Sequence, residues 1–185
     1  MNNRFVISIL LFLFSLIAKG QTINRVVVLL EQVQRLQQTD SLILEFLPDS
    51  FEEYYELCGD IDSPLYNCDD LIEHLSYSTT IDKTLFLKKI VGLCIGGKYS
   101  ADHISSLHDV AVKELRKDCR SVIVILNSLS ETDNLLYWRF LFGGIETRDL
   151  DYYEAIKRIR QVRGMEYRFP ASIKAGYDSS IVLSH

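Results

Sequence analysis

Apolar residues recur three and four positions apart along most of this chain, and this spacing constrains the fold more than any other feature. In residues 24–38 it places Val26, Leu29, Val33 and Leu36 on one helical face. One segment is ambiguous, because the β-branched run 122–125 also fits a buried strand. Its neighbours have helical patterns and no partner strand is evident, which favours a helix. We therefore predict an all-α protein, a single compact bundle of about seven helices.

The first 20 residues have the features of a secretory signal peptide. Arg4 precedes an apolar run of 14 residues, and Ala18-Lys19-Gly20 has the form of a cleavage site. The run is shorter than the roughly 20 residues of a membrane-spanning helix. We expect cleavage there and a periplasmic or secreted protein, with an all-helical domain at 21–163, a flexible C-terminal tail at 164–185 and no membrane span in the mature chain.

Charge argues against nucleic acid as a partner. Cleavage would remove Arg4 and Lys19, so the formal net charge would fall from −5 to −7. Nucleic-acid binding depends on basic surfaces that displace counterions from phosphates. An acidic mature chain therefore predicts a partner of another class.

Four cysteines lie in the exported part. Cys58 and Cys68 flank the turn-rich segment "GDIDSPLYN", which predicts a local disulfide. Cys94 and Cys119 would lie at opposite ends of an antiparallel helix pair, beyond the reach of a disulfide. Either that helix pair is wrong or these two thiols stay free.

Residues 91–102, "VGLCIGGKYSAD", begin like a phosphate-binding loop but have Tyr99 where a small hydroxyl should ligate magnesium. A working loop of this type follows a strand, whereas the segment before it here has a helical pattern. We therefore interpret Gly96-Gly97 as the end of one helix, with Ser100 and Asp102 at the start of the next.

No constellation in the sequence predicts a cofactor, a metal site or catalytic residues. His103 and His108 are five residues apart and do not share a helical face, as paired metal ligands do. The carboxylate pairs Glu52/Glu56 and Asp69/Glu73 do share faces and could serve a hydrolase. Solvated helix faces produce the same spacing more often, so we predict a protein that is not an enzyme.

Charge is strongly segregated along the chain. No Lys or Arg lies between Arg35 and Lys83, an interval with a local charge of −12, while five cations gather at 157–168. The two charged segments could fold against each other and cancel. Alternatively, the acidic segment is a surface that docks on a basic partner protein and uses tyrosines as anchors. On the second interpretation the candidate partner-binding residues are Glu52, Glu53, Tyr54, Tyr55, Glu56, Asp60, Asp62, Tyr66, Asp69, Asp70 and Glu73.

Four segments carry a resemblance to a known family: "FLPDSFEEYYELCG", "SPLYN", "IGGKYSADHISSLHDV" and "LLYWRFLFGG". Over residues 40–160 the chain is similar to a family of small exported helical proteins of Gram-negative bacteria. Some members look like immunity proteins, which block a toxin delivered into the periplasm by neighbouring cells. No catalytic residue comes with the resemblance. Cys58 and Cys68 depart from its pattern, which indicates a disulfide particular to this protein, and Gly143-Gly144 stands where Gly-Pro is expected.

Together these features predict an immunity-type periplasmic protein that neutralises a toxin enzyme by occluding it with an acidic surface. Two alternatives stay open: a secreted hydrolase that uses a carboxylate pair, and a structural component of a surface assembly.

Overall fold

The computed structural model describes residues 40–59, 70–98, 104–143 and 150–182. Within these ranges the protein is all-α, with no strand, as predicted. They contain nine α-helices, against about seven predicted for the whole domain. The helices are α1 (Asp40–Phe46), α2 (Phe51–Tyr54), α3 (Asp70–Tyr77), α4 (Lys83–Cys94), α5 (Ser105–Lys117), α6 (Cys119–Asn127), α7 (Glu131–Phe142), α8 (Tyr152–Gln161) and α9 (Pro170–Val182), and α2 continues into a π-helical turn at Tyr55–Gly59.

Helix α4 lies at the centre of the bundle. It packs against α2, α5, α6 and α7. Phe86, Leu87, Ile90 and Leu93 on this helix are all buried. The ambiguous run 122–125 belongs to α6 and is helical.

Helix ends follow the capping residues in the sequence. Ser130 caps α7, because its hydroxyl oxygen accepts a hydrogen bond from the Asp133 amide at 3.1 Å. Gly96 follows the end of α4 with a φ of 77°, a left-handed conformation that favours glycine. The described part of the segment that resembles a phosphate-binding loop, residues 91–98, is therefore a helix end, as interpreted. Helix α5 begins at Ser105, and Ser100 and Asp102 lie outside the described residues.

The C-terminal segment corrects one prediction. A flexible tail was expected from residue 164, but residues 170–182 form α9, which makes the largest helix–helix contact of the described chain, with α7. Small residues face α7, and a Cβ added to Gly176 would lie 2.6 Å from the Trp138 Cβ. The helices therefore approach closely, and the predicted tail is wrong for residues 170–182.

A buried hydrogen-bond network secures the connection between α8 and α9. The Trp138 indole donates to the Tyr167 hydroxyl at 2.7 Å, and that hydroxyl donates to the Asn134 side-chain oxygen at 2.6 Å. The Asn134 amide nitrogen donates in turn to the carbonyls of Leu126 and Ser130, each at 2.8 Å. Burial of polar groups is tolerated when they are paired in this way, so the network fixes residue 167 against α7.

Two of the predicted segments cannot be placed. The expected signal peptide at 1–20 and the helical pattern at 24–38 both lie outside the described residues. In the part of the chain that is described, no helix has the length and apolar character to cross a membrane.

Candidate functional site

The predicted acidic surface centres on α2 and the π-helical turn that follows it. Ser50 opens α2, because its hydroxyl oxygen accepts a hydrogen bond from the Glu53 amide at 3.3 Å. Glu52 and Glu53 lie in the first turn, where the helix dipole favours negative charge. The capping residues therefore hold the start of the acidic segment in one orientation.

This short helical segment has an outer and an inner side. Glu52 and Glu56 are exposed, and Tyr55 lies beside them with 42% of its surface accessible. The inner side consists of buried residues, namely Tyr54, Leu57 and Cys58. Tyr54 is only 1% exposed, so the prediction that it contacts a partner is wrong. Three positions separate it from Leu57, and helical geometry turns both towards the core.

Aromatic packing supports the exposed Tyr55 ring. It stacks on Phe51 with 6.1 Å between ring centroids, and Phe51 meets the edge of Phe140 at 6.0 Å. Gly97 lies beneath both phenylalanines, and an added Cβ there would approach their rings to 2.7 and 2.8 Å. Gly97 belongs to the segment that resembles a phosphate-binding loop, and its lack of a side chain leaves space for the Phe51 ring. Phe51 in turn supports Tyr55.

Helix α3 contributes the second part of the predicted surface. Asp70 opens this helix, and Glu73 is exposed on it. Its His74 ring lies 3.1 Å from the Asp40 carboxylate of α1. Hydrogen bonding with Ser78, supported by His74 and Thr80, lowers the pKa of Asp40. The predicted residues outside the described ranges are Asp60, Asp62, Tyr66 and Asp69.

The acidic and basic segments do not neutralise each other within the described part of the chain. Asp49 pairs with Lys89 of α4, and Asp40 pairs with His74. No ion pair between described residues joins the acidic segment to the cations of 157–168. Glu52 and Glu56 themselves have no cationic partner among these residues. The charge segregation was open to two interpretations, mutual neutralisation of the two segments or an exposed acidic docking surface. This arrangement favours the exposed acidic surface.

Two clefts are lined by described residues, and neither contains Glu52, Glu56 or Glu73, the described carboxylates proposed for a hydrolase. One lies beside α4 and includes Asp49, Lys88 and Gly92. The other lies between α8 and α9, and sequence reasoning missed it because α9 was expected to be a tail. The sequence signal that could have indicated this cleft is the pair of isoleucines at 156 and 159 in α8. No group of three or more potential metal ligands occurs among the residues described.

The environments of Cys94, Cys119 and His108 are typical of structural residues rather than of reactive ones. Cys94 is buried and Cys119 half-buried, and both are free thiols. Burial raises the pKa of both thiols, which disfavours the reactive thiolate. His108 is buried and bonds the Leu141 carbonyl at 2.9 Å. Cys68 lies outside the described residues, so its disulfide with Cys58 stays a prediction.

Comparison with known proteins gives no family assignment: the chain matches no protein-family model, no curated protein and no solved structure.

Proposed function

We propose that this protein is an exported binding protein of the immunity type, which neutralises a toxin enzyme by covering its surface. The observation that carries the proposal is the outer side of α2 and its π-helical turn. Two exposed carboxylates, Glu52 and Glu56, flank the exposed Tyr55 ring there, and neither pairs with a described cation. Carboxylates around an aromatic anchor are suited to a basic protein surface, because charge speeds association and a desolvated ring slows dissociation.

The resemblance to small exported helical proteins supports a periplasmic location after signal-peptide cleavage. A binding protein of this kind needs no cofactor and no turnover. Charge complementarity would set the association rate, which would fall as salt is added.

A charge-reversal experiment tests the proposal. The variant Glu52→Lys/Glu56→Lys changes two exposed side chains and leaves the Ser50 cap and the buried Tyr54 in place. The matched control is Glu131→Lys/Asp178→Lys, which makes the same charge change at exposed positions of α7 and α9. Each protein is produced with its export signal in sensitive cells that face a toxin-delivering competitor, and survival is counted.

The proposal predicts at least a tenfold loss of protection for the first variant and wild-type protection for the control. Circular dichroism of both purified proteins checks that the fold is unchanged. If the folded first variant protects as well as the wild type does, this acidic surface does not bind the toxin. If the wild type gives no protection against any competitor tested, the immunity function itself is wrong.

A further inference from the structure

A second charged surface, of opposite sign, lies on α8. Tyr153, Lys157 and Arg160 are spaced four and three residues apart, so they share the outer face of this helix. All three are exposed, and Tyr153 has 81% of its surface accessible. Arg163 is exposed in the turn that follows. The outer face of α8 therefore presents two cations and an aromatic ring, and the turn after the helix adds a third cation.

The junction of α5 and α6 extends this basic surface. The Arg120 guanidinium donates to the Arg163 carbonyl, which brings α6 against the end of α8. Glu154 is already engaged, because Arg116 and Arg158 both bond its carboxylate at 2.8–3.0 Å. No carboxylate among the described residues pairs with Lys157, Arg160 or Arg163. Their charge is available to a ligand.

An open cleft of about 260 Å³ is lined in part by one of these cations, Arg160. It lies between the last turn of α8 and the first turns of α9, and Arg160 and Glu166 are its charged residues. The other lining side chains are apolar, among them Ile156, Ile159, Met165 and Ile173. An apolar cavity bordered by a basic surface can receive one bulky apolar group from an anionic partner.

The shape and chemistry of the cleft decide which class of partner fits. A bilayer is a poor match, because membrane binding uses protruding apolar side chains whereas this site is concave. Single-stranded nucleic acid needs a succession of exposed stacking rings. Among the described residues of this surface Tyr153 is the one exposed ring, and the ring in the cleft, Tyr167, is buried. The volume lies below the roughly 300–1,000 Å³ of small-molecule sites. A second copy docking through the same face would oppose Lys157 to Lys157.

We propose that this basic surface binds an acidic segment of a partner protein. One large aliphatic or aromatic side chain of that segment fills the cleft between α8 and α9, as interface anchors fill pockets. Carboxylates on either side of the anchor pair with Lys157, Arg160 and Arg163. This site is separate from the acidic surface of α2, and the inference does not depend on the proposed toxin-neutralising function.

The test is the binding of the purified mature chain to an array of random ten-residue peptides. The wild type should enrich peptides with one bulky apolar residue among Asp and Glu. Lys157→Glu/Arg160→Glu should bind the selected peptides at least tenfold more weakly. The control Lys88→Glu/Lys98→Glu, with the same charge change at exposed positions on and after α4, should stay within about twofold.

A second measurement examines the cleft itself without changing the fold. Met165 is the one methionine besides Met1, so a labelled methionine methyl group is a single NMR reporter inside the cleft. Addition of a selected peptide should shift this signal, and a peptide with the bulky residue replaced by glycine should not.

The inference is overturned by any of four results. The array could select peptides without acidic residues, or the Lys157→Glu/Arg160→Glu variant could bind the acidic peptides as the wild type does. Alternatively, the chain could bind phosphatidylglycerol vesicles and no peptide, which would make the surface a membrane contact. A methyl signal unmoved by a saturating selected peptide would place the binding site outside the cleft.

Discussion

Glu114 carries a carboxylate into the interior of the bundle, where its side chain is only 1% exposed. Lys83 at the start of α4 donates to one carboxylate oxygen at 2.7 Å, and the other oxygen accepts no hydrogen bond from a described residue. Removal of one member of such a pair leaves a buried charge uncompensated. Lys83 therefore holds the N-terminal end of α4 against α5.

We predict that Lys83→Met lowers the free energy of unfolding by about 2–3 kcal/mol. The control is Lys88→Met on the exposed face of α4, which should change it by less than about 0.5 kcal/mol. Urea denaturation at pH 7 measures both. Equal stability of the two variants would mean that Glu114 is not held by Lys83.

Glu154 should make the stability of the fold decrease at acid pH. Hydrogen bonds from Arg116, with those from Arg158, lower the pKa of this carboxyl from 4.5 to about 2. A lowered folded-state pKa stabilises the fold above the unfolded-state pKa, and the contribution is lost as the pH falls from about 4.5 towards 2. The carboxyl is 27% exposed, so solvent screening reduces the gain.

We expect Glu154→Gln to lose about 1–2 kcal/mol of stability at pH 7. The difference from the wild type should shrink when urea denaturation is repeated at pH 2.5. Asp178→Asn serves as the control, because its pair with Lys174 is more exposed, and its effect should be small at both pH values. A deficit in Glu154→Gln that persists at pH 2.5 would assign the effect to packing rather than charge.

At the scale of the element, contact between α7 and α9 depends on small side chains. Ser172, Gly176 and Ser180 are spaced four apart and all buried. A glycine within a helix normally costs about 1 kcal/mol relative to alanine. Here that cost is offset, because the absence of a Cβ lets the two backbones approach.

Two glycine-to-alanine variants distinguish the cost of glycine within a helix from its benefit where two helices approach closely. Gly176→Ala places a methyl group 2.6 Å from the Trp138 Cβ and 2.8 Å from the Arg139 amide nitrogen. The helices must then separate, and we expect a loss of about 1–3 kcal/mol. Gly92→Ala in α4 meets its nearest atom at 3.6 Å and should be neutral or stabilising. Thermal unfolding measures both, and a stabilised Gly176→Ala variant would contradict the close approach.

The same elements explain how far the sequence could predict this structure. Apolar spacing predicts that the elements are helices and that α4 is buried. Capping chemistry predicts the helix ends at Ser50, Gly96 and Ser130. Helix α9 was missed because its buried face is built mainly from serine and glycine, and Ile173 alone is too weak an apolar signal. Tyr54 was misassigned because composition shows that a segment is acidic and aromatic, whereas burial depends on the helical face that meets the core. The cleft between α8 and α9 could not be predicted without α9.

At the scale of the whole molecule, the fold should require its last described helix. We predict that residues 21–169, which lack α9, do not form a cooperative structure, because the buried face of Trp138 loses its cover. A chain of residues 21–182 is the matched control and should fold as residues 21–185 do. Trp138 is the single tryptophan, so its fluorescence and iodide quenching report the difference. Blue-shifted, protected emission from 21–169 would contradict the prediction.

The late position of α9 in the chain has a consequence for biosynthesis. Helix α7 ends at Phe142, and α9 is complete only at Val182, 40 residues later. Translation at about 5–20 residues per second leaves an interval of roughly 2–8 s between these points. During that interval Trp138 and Phe142, which stack at 5.8 Å in the finished protein, have no helix to cover them. A signal peptide would keep the chain unfolded until export, so a periplasmic chaperone that binds aromatic segments would meet this pair before α9 buries it.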